Sequence, residues 1–115
     1  MTKDFVRETL VIRPAGDLCE GDECDQLERA LAEQARLGRS VVVDLSGTRF
    51  LTAHALGVLA RAHRIGLEHG ARIALCGVTG TERWLLALTH LSEALPVYAD
   101  ETAAVAHLGE QRAVA

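Results

Sequence analysis

Val41-Val42-Val43-Asp44-Leu45 is the stretch on which the fold turns. Its apolar run is β-branched and shows no polar alternation. That is the pattern of a central strand covered on both faces or buried in a packed sheet. Upstream, Asp22 is a plausible N-cap for a helix running to about Leu37. Leu27, Ala30 and Leu31 share one face of it, and Gly38 is a fitting stop. Downstream, a second helix is predicted from about Ala53 to His69, stopped by Gly70, and Ile73-Ala74-Leu75-Cys76 reads as another buried strand.

The outer segments extend the alternation. Thr9-Leu10-Val11-Ile12-Arg13 reads as a strand ended by Pro14-Ala15-Gly16. A short strand at Asp4–Arg7 is possible before it, at the cost of a very tight turn. Thr81–Thr89 is expected to form a third, shorter helix with Trp84, Leu85 and Leu88 on its apolar side. Leu95-Pro96-Val97-Tyr98 is edge-like, since proline is tolerated at sheet edges. Asp100 is placed to cap a last helix ending near Leu108, with Gly109 after it. Strands alternating with helices imply an α/β domain with parallel crossovers.

Composition narrows the function. A chain of 115 residues, 49% hydrophobic and 24% charged, suits one globular domain with one core and no staples. Aromatics amount to only 3%, which speaks against a base-stacking platform. The balance of 12 basic against 16 acidic residues leaves a net charge of -4. A nucleic-acid partner is therefore not expected. No apolar run approaches the roughly 18 residues of a membrane span. Met1–Phe5 lacks the apolar core of a signal peptide, so a cytoplasmic location without membrane insertion is the expectation. Cys19, Cys24 and Cys76 are an odd number with no secretion signal and no paired-ligand spacing. They are read as reduced and structural, with redox or metal roles the lesser alternative.

Catalytic motifs are missing: there is no GxSxG, HExxH or GxxxxGK[ST]. Gly77 and Gly80 between a strand and a helix suit turn geometry better than phosphate binding. No cofactor, metal centre or catalytic residue is expected. In the second helix His54 and His63 point about 180° apart at roughly 100° per residue, so they cannot chelate one ion. His63 shares a stripe with Leu56, Leu59, Ala60 and Leu67, and reads as packed or exposed at the tip. His69, His90 and His107 fall near helix ends and read as solvated. His54, Val58, Arg61 and Ile65 project from the side opposite that stripe. Either a neighbouring helix covers Val58 and Ile65, or they form an exposed apolar strip with a basic residue beside it, as partner surfaces do.

Several segments together resemble a known family. Val41-Val42-Val43-Asp44-Leu45-Ser46-Gly47-Thr48-Arg49-Phe50-Leu51, then Leu56-Gly57-Val58-Leu59, is similar to the central signature of STAS domains (sulphate transporter and anti-sigma factor antagonist). Ala15-Gly16-Asp17-Leu18 matches the end of that family's early strand. Thr79–Leu91 and Leu95–Tyr98 resemble its C-terminal helix and strand. The resemblance covers about Thr9 to Leu108, the expected core of a single domain spanning residues 1–115. It implies a mixed, mainly parallel sheet with about four α-helices and no enzymatic site. In stand-alone bacterial members an ATP-using anti-sigma factor kinase phosphorylates a serine at the start of the second helix. The unphosphorylated antagonist holds the anti-sigma factor and frees the sigma factor.

This chain departs from the pattern at that place. Aligned on Leu56-Gly57, Thr52 stands where Asp is usual, Ala53 at the first Ser, His54 at the phosphoserine and Ala55 at the Gly. Thr52 is the nearest hydroxyl within the motif. It is first a natural N-cap and only second a substitute acceptor or contact residue. The resemblance implies a regulatory module docking a serine-kinase-like, ATP-binding anti-sigma factor through Thr52, Ala53, His54, Val58, Arg61 and Ile65, without the serine switch. Protonating an imidazole would add positive rather than negative charge. The alternative is an accessory subunit of a transport complex, since some small STAS proteins associate with lipid-transport ATPases. Self-association stays open.

Overall fold

In the computed structural model, which describes residues 2–18, 22–90 and 95–114, the run Val41–Val43 lies at the centre of a five-stranded sheet. The described elements follow in the order β1 (Thr2–Val6), β2 (Thr9–Arg13), β3 (Gly16–Leu18), α1 (Asp22–Arg36), β4 (Val41–Asp44), β5 (Thr48–Leu51), α2 (Ala53–His69), β6 (Ile73–Cys76), α3 (Gly80–Leu88), β7 (Val97–Tyr98) and α4 (Glu101–Val114). The sheet order is β1-β2-β4-β6-β7. Within it, only the β1–β2 pairing is antiparallel.

Pleating sorts the strand residues onto two faces. Leu10, Ile12, Val41, Val43, Ile73 and Leu75 join Leu27 and Leu31 of α1, Leu59 of α2 and Leu86 of α3 in the larger core. Val11, Val42, Ala74 and Cys76 meet Ala104, Val105 and Leu108 of α4 on the other face. All three β4 valines are fully buried. Each such side chain contributes about 2 kcal/mol relative to exposure. The mixed, mainly parallel sheet with four helices among the described residues is the expected architecture.

Five local features differ from the sequence expectation. β1 begins at Thr2 rather than Asp4, and the tight turn is real: Arg7 and Glu8 both take positive φ, at 50° and 69°. Two left-handed residues are what a two-residue hairpin turn requires. β3 and β5 form a separate parallel pair, and neither the pair nor strand β5 is signalled by the sequence pattern. α4 continues past Gly109 to Val114, with the Asp100 side chain accepting the Ala103 N–H at 2.8 Å as its cap. α3 is rotated from the predicted phase. Trp84 and Leu88 are exposed at 63% and 58%, whereas Glu82 and Leu86 point inward. Leu86 enters the larger core with Leu85 packed against it, and a capping pair at the helix start accommodates Glu82 on that side. Thr79 Oγ1 accepts the Glu82 N–H and donates to Glu82 Oε1.

α2 is also rotated. Its buried residues are Ala55, Leu56, Val58, Leu59, Ala62 and Gly66. Ala60 and His63 are half-buried and Leu67 is exposed. Small side chains face inward because the backbone passes close to its neighbours. A Cβ on Gly66 would lie 3.1 Å from the Ala71 carbonyl oxygen. α1 packs along the flank that carries Val58.

At the C-terminal end of β4, Asp44 Oδ1 accepts the Ser46 N–H at 2.9 Å, and the Leu45 N–H donates to the Cys76 carbonyl at 2.9 Å. Gly77 sits against this turn with φ 65°; a Cβ there would stand 2.6 Å from Asp44 Oδ1 and 2.8 Å from Ser46 N. Gly77 thus serves turn geometry. Nearby, Arg13 donates to both Glu101 carboxylate oxygens at 2.7 Å and to Asp4 at 2.8 Å, tying β2 to α4 and β1. Burial pushes the Asp44 carboxyl up, but hydrogen bonding with Glu101 and Ser46 and the Arg13 charge hold it below the usual range. Burial, reinforced by the charges of Asp44, Glu101 and Asp100, pushes the Cys76 thiol up to about 12, so it stays protonated.

This packing can be tested at single residues. Gly77→Ala should cost roughly 2 kcal/mol in urea unfolding, because the left-handed conformation and the close contact both penalise a methyl group. An unchanged urea midpoint would refute that. Val58→Asp should unfold the domain by burying an unpaired carboxylate, seen as loss of cooperative thermal unfolding. For pH, the depressed Asp44 contributes stability above the ordinary aspartate range, and that contribution is lost as pH falls through its folded value. Asp44→Asn keeps the turn acceptor but should flatten the acid limb of the stability curve. A limb of unchanged steepness would remove Asp44 as its source.

Candidate functional site

The start of α2 is where the substituted motif falls. Thr52 has extended backbone angles (φ −89°, ψ 167°), and its Oγ1 accepts the Ala55 N–H at 3.2 Å. It is the N-cap. Ala53 and His54 follow it on the surface, while Ala55 is fully buried. The first turn carries no acidic side chain. The positive end of the helix dipole is therefore not offset by a carboxylate of the helix itself. The small β3–β5 pair delivers the chain to this point, since β5 ends at Leu51, one residue before the cap.

The six residues singled out from sequence do not form one surface. Thr52, Ala53 and His54 lie together at the helix start. Val58 is 1% exposed and belongs to the core, so it presents nothing to a partner. α1 packs against α2, and its Glu28 accepts from Arg61 Nη2 at 3.2 Å. Ile65 is half-buried on the same flank. Arg61 is exposed, with Gly57 beside it: a Cβ on Gly57 would lie 3.5 Å from Arg61 Nη1. The outward face of α2 is carried instead by Ala53, Gly57, Arg61, Arg64 and Glu68. Sequence reasoning missed Gly57 and Arg64. The helical spacing of Arg61, Arg64 and Glu68 held the signal.

Hydroxyls near the site are differently placed. Ser46 is exposed on the β4–β5 turn, Thr48 is buried, and Thr52 is half-buried with its oxygen engaged in the cap. Among the other singled-out residues, His63 is half-buried, and burial together with the Arg72 charge lowers its pKa. His69 and His90 are exposed, with His69 Nδ1 3.0 Å from the Ile65 carbonyl oxygen. His107 is not simply solvated: it is half-buried, with its ring 5.1 Å from that of Tyr98. Cys24 and Cys76 are buried, and Cys19 lies outside the described residues. Among the described residues no three His, Cys, Asp or Glu side chains converge as a metal site would need. No described helix is long and apolar enough to cross a membrane.

Comparison with known proteins places this architecture. The family profile described as "Mlab, STAS domain" matches residues 1–97. The chain is 26% identical over 104 residues to a protein named anti-sigma F factor antagonist from Paenibacillus polymyxa, covering 89% of this chain and 88% of that one. The solved structure of an anti-sigma-factor antagonist (STAS) domain protein from Planctomyces limnophilus superposes with a TM-score of 0.77 at 20% identity, covering 94% of this chain and 97% of the other. The STAS domain of a SulP transporter from Vibrio cholerae superposes at 0.68 with 16% identity, covering 96% and 88%. A family profile that spans most of the chain, on a fold that superposes along nearly its whole length, makes this protein a member of the STAS family.

Proposed function

We propose that this chain is a cytoplasmic protein-binding module that docks a serine-kinase-like, ATP-binding anti-sigma factor through the start of α2, and that it acts by binding rather than catalysis. The observation that carries the reading is the exposed first turn of α2, with His54 at the position where the family resemblance puts a phosphoserine. The relative named as an anti-sigma F factor antagonist supports the class of partner. The docking surface consists of Ala53 and His54 with Gly57, Arg61 and Arg64 along the outward face. Thr52 supports it as the cap, and Ile65 contributes only its exposed part.

The chemistry of the switch follows from these side chains. A phosphate at the family's position adds about -1.5 to -2 charges to the docking surface. His54 offers no hydroxyl to a serine kinase, and the Thr52 Oγ1 is already engaged as the helix cap, accepting the Ala55 N–H. The module therefore holds its partner constitutively. The second reading is an accessory subunit of a transport complex, since STAS domains also occur in transporters, as in the SulP transporter of Vibrio cholerae.

The test is a pull-down with the intact chain from its source cells, followed by calorimetry with the purified partner. A kinase-like anti-sigma factor should be recovered. His54→Glu should weaken that complex roughly tenfold, or about 1.4 kcal/mol, while leaving thermal unfolding unchanged. Recovery of a transport ATPase instead would replace the regulatory reading with the second one. Incubation with the partner and ATP should leave the intact mass unchanged; a stable phosphate on Ser46 or Thr52 would overturn the loss of the switch.

A further inference from the structure

The end of the sheet where β4 and β6 begin holds a half-open cavity of about 870 Å³, at the opposite end of α2 from the docking surface. Its size lies within the range of small-molecule sites. Phe5 from β1, Leu67 from α2 and Leu108 from α4 supply apolar wall. Phe5 and Leu67 are left 60% and 59% exposed, while Leu108 is buried. Arg39 and Arg72 line the same space.

The placement of those two arginines follows from strand pairing. Arg39 lies two residues before β4, and Arg72 immediately precedes β6. The two strands are paired in register, Val41 opposite Ile73, and the Val41 N–H donates to the Arg72 carbonyl at 2.9 Å. Adjacent strands lie about 4.8 Å apart, so both cations spring from neighbouring points of the backbone. Neither makes an ion pair among the described residues. Glu8 is the single carboxylate among the described lining residues, so cations outnumber it two to one.

We propose that this cavity binds a single-chain amphiphilic anion, with an alkyl tail against Phe5 and Leu67 and a carboxylate or phosphate head between Arg39 and Arg72. Guanidinium forks match such heads in geometry as well as charge. Concave apolar walls suit one chain. A flat bilayer surface would call instead for a polybasic face, and the chain carries a net charge of -4. Binding here is independent of the anti-sigma factor reading.

Decanoate below its micellar concentration, titrated into the full chain and followed by amide chemical shifts, tests this. Saturable shifts should appear at Phe5, Arg39, Leu67 and Arg72, with none from acetate at the same concentration. Neutral decyl maltoside should bind about tenfold more weakly, since it lacks the charged head. Doubly substituted Arg39→Gln/Arg72→Gln protein should lose about tenfold in decanoate affinity and keep its maltoside affinity. Leu67→Asp, at an exposed position, should weaken both probes. Absence of saturable shifts, shifts confined to another surface, or decanoate binding unchanged in the double variant would each overturn the proposal. So would sedimentation with phosphatidylglycerol vesicles in a protein that ignores monomeric decanoate.

Discussion

The burial of β4 on both faces is the constraint from which the rest of the architecture follows. Val41, Val42 and Val43 alternate between two cores, so the sheet must be covered twice. The connections that do this are dictated by handedness. From β2 to β4, β4 to β6 and β6 to β7 the chain steps across the sheet in one direction through α1, α2 and α3. Parallel crossovers are right-handed in nearly all proteins, so three successive steps in one direction place all three helices on one face. The second face is then left for α4, which covers Val11, Val42, Ala74 and Cys76 with Ala104, Val105 and Leu108. Arg13 reinforces that closure by joining β2 to Glu101 in the first turn of α4.

Features governed by a strong local signal were legible in the sequence. The limits of α2, from Ala53 to His69, follow from a capping threonine and a left-handed glycine at either end. The valine run and Ile73–Cys76 announced buried strands because parallel sheets leave no wetted face. What escaped was governed by packing partners that lie far away in sequence. The phase of α2 was misjudged because leucines outweigh alanines in a periodicity argument, whereas close helix approach selects small residues such as Ala55, Ala62 and Gly66. The phase of α3 was hidden by a charged residue, Glu82, which makes a cap contact and lies inward at 3% exposure. Its second carboxylate oxygen has no partner among the described residues, and burial raises its pKa. β5 was missed because its partner, β3, is very short and lies well upstream, beyond the whole of α1 and β4.

The candidate site shows the same division. The substitution of His54 for a hydroxyl residue, and the capping role of Thr52, could be read from the motif and are local facts. Which side of α2 faces outward could not, because it depends on α1. Val58 and Ile65 are the same type of residue at equivalent phase, yet Val58 is sealed in the larger core while Ile65 keeps part of its surface. The difference is one of distance along the helix. Val58 sits among Ala55, Leu59 and Ala62, all of them core residues. Ile65 lies two turns further on, close to the exposed end of the helix at Leu67–Gly70.

The tight packing of α2 also bears on how its two ends relate. The helix runs from Ala53 to His69, with His54 near one end and Leu67 near the other. At a rise of about 1.5 Å per residue, those two side chains are separated by roughly 20 Å along the axis. Ala55, Ala62 and Gly66 let its inner flank approach the backbone of its neighbours, and Gly38 does the same from the other side: a Cβ there would lie 2.7 Å from the His69 carbonyl oxygen. A larger residue at Gly38 or Gly66 would force those neighbours to shift. Coupling between distant sites needs an element with two discrete positions that both sites bias. The packing of α2 shows one such position. The proposed partner surface at its start and the proposed ligand cavity at its end are separate features carried by one helix. Between them the outward face carries the charges of Arg61, Arg64 and Glu68, which is the electrostatic link the structure shows along the helix.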